Sequence, residues 1–188
     1  MTKPSFVHGA REQEPDNAKL AELILYIAQR CEGDERFGAI KLNKILFYAD
    51  FVHYLQYGRS ITGQEYQKLE NGPAPRHLKP VHRMLEKEKA IKVVERSYFG
   101  RRQKKTIALR EANLSHFSGS EIAVVDRIIR SLWDMNATET SDVSHKFVGW
   151  QYAELNETIP YPAALLDRRP LTQEELNYGL ELEASIQA

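Results

Sequence analysis

Cysteine is nearly missing from this sequence: Cys31 stands alone among 188 residues. No disulfide can form within the chain, and a reducing compartment is expected. An excess of charge of either sign is missing too, since 26 basic and 26 acidic residues give a formal net charge of zero. Strongly basic chains suggest nucleic acid from charge alone; here that affinity would need a local patch, and nucleic acid is not the expected partner. Long apolar runs are absent. Nothing approaches the ~18 consecutive apolar residues of a membrane span. Met1 to Asp16 is polar, carries Pro4 and Pro15, and has no apolar stretch of signal-peptide type. A cytoplasmic protein without membrane contact is the expectation.

What the sequence does hold is enough apolar material, 42% of residues, for a core in one domain. Residues 1–15 read as a flexible leader, 16–168 as the domain, and 169–188 as a C-terminal helix opened by a capping box from Thr172 to Glu175. Leu20, Leu23, Ile24, Ile27, Ala28 and Cys31 recur at helical spacing after Asp16 and Asn17, either of which can cap a helix. A second helix is predicted from Ile40 to Tyr57. Its apolar side chains cover nearly the whole circumference, the mark of a central, buried helix. A narrow polar seam of Asn43 and Asp50 breaks this surface, with Phe47 and Tyr54 beside it. Packing by the chain's own helices would cover the seam; alternatively, part of it meets a partner.

Past Gly58 the segments Ser60–Gly63 and Tyr66–Leu69 read as short extended pieces, and Asn71-Gly72-Pro73-Ala74-Pro75 as a forced turn. A helix follows near Leu78 to Glu88, with Pro80 in its first turn. Two strands are expected at Ile91–Glu95 and Lys105–Leu109, joined by a tip from Tyr98 to Arg102. Ser118 to Glu121 matches a capping box. A shorter helix is predicted from about Ser141-Asp142, reaching His145 and breaking near Gly149, and residues 158–170 as an irregular crossing. The predicted fold class is α+β, mainly α-helical: a single compact domain with a central buried helix and a small antiparallel hairpin.

Signs of chemistry are sparse. Gly58 and Gly63 have the spacing of a phosphate loop, but Gln64-Glu65 follow in place of Lys and Ser or Thr. No cysteine–histidine cluster has zinc spacing. Asp50 and His53 could offer two metal ligands from one helix, yet His53 points into the most apolar face and reads as a core histidine. A cysteine nucleophile would need Cys31 accessible beside a base, and its place on an apolar stripe argues against that. Ser115-His116 and Ser144-His145 sit on no nucleophile turn. No catalytic, metal or cofactor site is expected. The helix and hairpin from Arg76 onward resemble the last helix and wing of winged-helix proteins, with Arg101, Arg102, Lys104 and Lys105 as possible phosphate contacts. The plainer reading is a solvated hairpin whose charges protect its strand edges.

Three motifs occur in order: Lys41-Leu42-Asn43-Lys44-Ile45-Leu46-Phe47-Tyr48-Ala49-Asp50, then Gly58-Arg59-Ser60-Ile61-Thr62-Gly63, then Asn71-Gly72-Pro73-Ala74-Pro75. Together they resemble the Panacea, or SocA-like, antitoxin domain, often called phage-associated protein. Similar proteins carry a K-L-x-K-L-L-Y-Y-A-D helix, a G-x-P-I-x-G turn, an aromatic near the position of Tyr66, and a G-P-V-P turn. Ser60 replaces the usual Pro, Ala74 the usual Val, and Phe47 a common Tyr. A weaker echo lies at His145 and Trp150. The resemblance implies a non-catalytic antitoxin that binds a cognate protein toxin, whose gene is expected next door, and in some settings hands it to an ATP-dependent protease. It supplies no agreed catalytic residues. The partner-binding candidates Asn43, Phe47, Asp50, Tyr54, Asn71 and Arg76 come from the helix seam and the turn.

Overall fold

Asp16 opens the first helix, α1 (Asn17–Arg30), by accepting the Lys19 N–H at 2.8 Å. Its stripe from Leu20 to Ala28 is buried, and Cys31 closes it, itself 1% exposed. Helix α2 (Ala39–Tyr57) ends at Gly58, whose φ of 72° gives the left-handed cap. Ten of its 19 residues are buried, on every side, which makes it the central element expected from its apolar circumference. The computed structural model describes residues 13–98 and 101–166, together with Gln173 and Asn177.

Two cores flank α2. Leu42, Ile45, Leu46 and Ala49 pack with α1, with α3 (Leu78–Lys87) and with α4 (Gly119–Leu132). Phe47 and Phe51 pack on the other side with Tyr66, Ile159 and Ala163. Lys41 ties the start of α2 to the end of α4, its ammonium donating to the Asp34 carboxylate at 2.6 Å and to the Trp133 carbonyl at 2.7 Å.

The sheet on the Phe47 side is small and antiparallel. Strand β1 (Tyr66–Gln67) lies between β2 (Ala74–Pro75) and β5 (Thr158–Ile159), so Tyr66 stands opposite both Pro75 and Ile159. A separate hairpin, β3 (Ile91–Tyr98) and β4 (Arg101–Ala108), keeps one register from Ile91↔Ala108 to Tyr98↔Arg101. Its strands run further than predicted, because pairing carries charged residues beyond the apolar base that signals a strand in the sequence.

Three details of the prediction change. Helix α5 (Ala137–His145) starts earlier than Ser141, on a capping box made by Asn136 and Glu139. Gly149 does not break the chain; it lies inside α6 (Val148–Tyr152). A Cβ there would stand 2.7 Å from the Ala163 Cβ, so glycine lets α6 approach the 3-10 turn Tyr161–Leu165. The crossing over residues 158–170 begins with β5 and that turn. Residues 1–12 of the expected leader lie outside the described residues, as do most of the expected C-terminal helix and its Thr172–Glu175 box; Gln173 and Asn177 are helical.

Candidate functional site

Both turns singled out in the sequence are gripped by α2, each through one charged side chain. Asp50 holds the first. Its carboxylate is 0% exposed and accepts the backbone N–H groups of Ile61 and Thr62, both at 2.8 Å, the Thr62 hydroxyl at 2.5 Å and the Tyr66 hydroxyl at 2.8 Å. Burial raises the Asp50 pKa above the usual carboxylate value, against the pull of those donors. Aromatic rings shield the group from water. Phe47, Phe51, Tyr66, Phe147 and Tyr161 pack edge-to-face or tilted with centroids 4.3 to 6.3 Å apart, and the Tyr161 hydroxyl donates to the Gln64 carbonyl at 2.7 Å.

Lys44 holds the second turn. Its ammonium, 1% exposed, donates to the Asn71 carbonyl at 2.5 Å and to the Pro73 carbonyl at 3.4 Å. Burial pushes its pKa down to about 7. Gly72, between those two residues, has φ 94°, and a Cβ on it would lie 2.3 Å from Ser144 Oγ and 2.5 Å from Lys44 Nζ. Ser141 adds a hydroxyl donor to the Asn71 carbonyl at 3.3 Å. Below, the Trp150 indole N–H donates to Leu69 O at 3.2 Å, His145 stacks on the indole at 4.1 Å, and the Lys68 ammonium sits 4.3 Å over the ring. Burial, with the nearby Lys44 charge, lowers the His145 pKa. His145 Nε2 is buried without a hydrogen-bond partner.

Asp50 and Lys44 are spent on holding these turns. Ser144 Oγ donates to Ser141 O at 2.8 Å. Cys31 is buried, and desolvation pushes its thiol up to about 12. His53 is fully buried as expected, its Nδ1 2.7 Å from Arg59 O, while its Nε2 finds no partner. Among the described residues no group of three or more His, Cys, Asp or Glu could hold a metal ion, and no helix is long and apolar enough to cross a membrane.

The six seam and turn candidates divide. Phe47 and Asp50 are 0% exposed, so in this arrangement the chain itself takes them out of reach of a partner. Asn43 is half-buried. Tyr54, also half-buried, stacks on Tyr161 at 5.5 Å. The Arg76 guanidinium stitches β1 to β5, donating to Gln67 Oε1, Asn156 O and Thr158 Oγ1 at 2.8–3.0 Å. Asn71 is exposed, although its carbonyl is held from beneath. On the hairpin, Arg102 and Lys104 are solvent-facing and share the Glu95 carboxylate. Lys105 leaves the set of phosphate contacts: it is 4% exposed and spends its ammonium on the carbonyls of Glu32 and Asp34. Arg101 opens β4 opposite Tyr98.

The model of one family, described as antitoxin SocA-like, Panacea domain, matches residues 42–151. The chain belongs to this family. The curated proteins and the solved structures give no match. In this Panacea domain the three motifs thus converge: the helix motif supplies Lys44 and Asp50, and each turn motif supplies the backbone that one of them binds. The His145–Trp150 echo belongs to the same assembly, beneath the Asn71 turn.

The Panacea domain also carries a feature that motif reading misses. Tyr48, Val143, Lys146, Phe147, Val148, Ala163, Ala164 and Leu166 line an open cleft, more apolar than polar, of about 290 Å³ between α2, α5, α6 and the 3-10 turn. Leu165 and Leu166 beside it are 60% and 57% exposed, too much apolar surface to count as core. No contiguous stretch of sequence encodes it. Its walls come from segments about a hundred residues apart.

Proposed function

We propose that this protein is an antitoxin that neutralises a cognate protein toxin by direct binding, without chemistry of its own. The family match over residues 42–151 carries the proposal. The cleft between α2, α5 and α6 is the best-supported docking surface, since apolar patches rimmed by polar residues mark protein-binding sites. Its volume of about 290 Å³ has room for an apolar anchor from the partner, and Val143, Leu165 and Leu166 offer side chains to pack around one. Among the seam and turn candidates, Asn71 and the outer edges of Asn43, Tyr54 and Arg76 extend the surface open to a partner. The toxin is proposed to be encoded by the adjacent gene, with binding in the cytoplasm and, in an adaptor form, delivery to an ATP-dependent protease.

The test is co-expression of the neighbouring gene with and without this one, paired with affinity measurement on the purified proteins. Val143→Asp combined with Leu166→Asp is predicted to weaken the complex by about 30-fold, the loss of one strong anchor, and to reduce growth rescue in parallel. Rescue without physical association, or a neighbour that is not toxic, defeats direct neutralisation. Rescue that needs both the complex and a cellular protease selects the adaptor form.

A further inference from the structure

The zero net charge of this protein conceals a sharp segregation. Residues 76–105, which run from Arg76 through α3 and the hairpin, contain eleven basic and three acidic residues. All other residues together contain fifteen basic and twenty-three acidic. Of the three acids in this unit, two have a titratable neighbour within 4.0 Å and Glu88 is exposed. Glu95 is shared by Arg102 and Lys104, and Glu86 lies 4.0 Å from His82.

Helix α3 carries the decisive part of this charge. Lys79, Arg83 and Lys87 follow each other at four-residue steps, all three exposed. They therefore form one stripe, with about 6 Å of rise between successive cations. The opposite face of the helix is tied down: Val81 and Leu85 are buried, and the His82 ring stands 2.9 Å from the Thr106 hydroxyl of β4. That contact fixes α3 against the hairpin face that also carries Lys104 and Arg102, two and four residues beyond Thr106 towards the tip. Protection of a strand edge accounts for cations on β3 and β4, but not for a stripe along a helix.

We infer that the α3 stripe and the adjacent hairpin form a binding surface for the phosphate backbone of a nucleic-acid duplex, recognised by charge and not by base sequence. Two properties of the face favour phosphate over an acidic protein. Protein interfaces are built on apolar and aromatic anchors and are poor in lysine. Among the residues of α3 and the hairpin whose side chains are described, which leaves out Tyr98 to Arg101, Met84 is the one large apolar side chain in the exposed class. Phosphate contacts ask only for exposed cations along a track. The net acidic remainder of the chain adds orientation, because it disfavours a polyanion relative to this face.

The full-length protein, titrated against a random-sequence 20-base-pair DNA duplex by fluorescence anisotropy, tests the inference. About five phosphate contacts would weaken binding several hundred-fold between about 50 and 200 mM salt. The variant with Lys79→Gln, Arg83→Gln and Lys87→Gln should bind at least tenfold more weakly at the lower salt, with a salt slope shallower by about 2 to 3. A control replacing Arg59, Arg127 and Arg130, exposed cations outside the unit, with Gln should bind like the parent. No binding at the lower salt, or equal losses in the two variants, overturns the inference. Tighter binding to poly-glutamate than to the duplex overturns it as well, and assigns the face to an acidic protein. No toxin takes part, so these outcomes are independent of antitoxin activity.

Discussion

Lys44 and Asp50 carry charge into the interior of α2, and each is matched to backbone instead of to an opposite charge. A carboxylate that accepts four hydrogen bonds cannot be replaced by an amide without turning an acceptor into a donor. Asp50→Asn is predicted to cost about 3 kcal/mol or more, read from urea denaturation, because the Ile61 and Thr62 N–H groups would face an NH₂ or lose an ionised partner. A loss under about 1 kcal/mol would show that the first turn holds without Asp50. Gly72 tests the second turn. Its φ of 94° is costly for any side chain, and a methyl would press on both Ser144 and Lys44. Gly72→Ala should therefore lower stability by at least about 2 kcal/mol, and a thermal melt matching the parent would contradict the packing described for that turn.

At the scale of elements, the central place of α2 was legible because its apolar residues cover nearly its whole circumference. Leu46, 0% exposed between α1 and α4, should cost about 2–5 kcal/mol when cut to Ala, through the cavity left behind. A value typical of a surface site would remove α2 from the core. The Ser118–Glu121 box, the Asp16 cap and the Gly58 stop were equally readable, since each is a local signal with a local cause. The start of α5 was missed although Asn136 and Glu139 form the same kind of box; its weakly apolar sequence, Ala137 to His145, gave no stripe to attach it to. Gly149 misled for the opposite reason. Glycine there serves a tertiary approach to Ala163, which no local pattern reveals. The seam candidates show the same limit: polar spacing located Asn43 and Asp50 on α2, but which elements cover them is decided by segments far away in sequence, such as Phe147 and Tyr161.

For the whole molecule, the buried bases set how stability responds to pH. Lys44 titrates near 7 in the folded chain against an ordinary value of 10.5. Burial also lowers His145 and His82 below 6.5. In each case the unfolded chain holds more protons than the folded one across the interval between the two values, so stability rises with pH there. For Lys44 the cost of burying a charge is fully present below about 7 and fades as pH climbs toward 10.5. For the histidines the loss sets in as pH falls through 6.5. Asp50 acts in the opposite sense in the acid range, since its raised pKa lets the folded state hold a proton that the unfolded chain has released. The alkaline side of neutrality is thus the cleaner window, governed by Lys44. Urea midpoints measured from pH 7 to 9 should increase for the parent. Lys44→Met, which has no proton to lose, should shift the midpoint at every pH yet show a flatter profile over that interval. Parallel profiles for the two proteins would mean that Lys44 keeps its proton throughout, held by the Asn71 and Pro73 carbonyls as firmly as water would hold it.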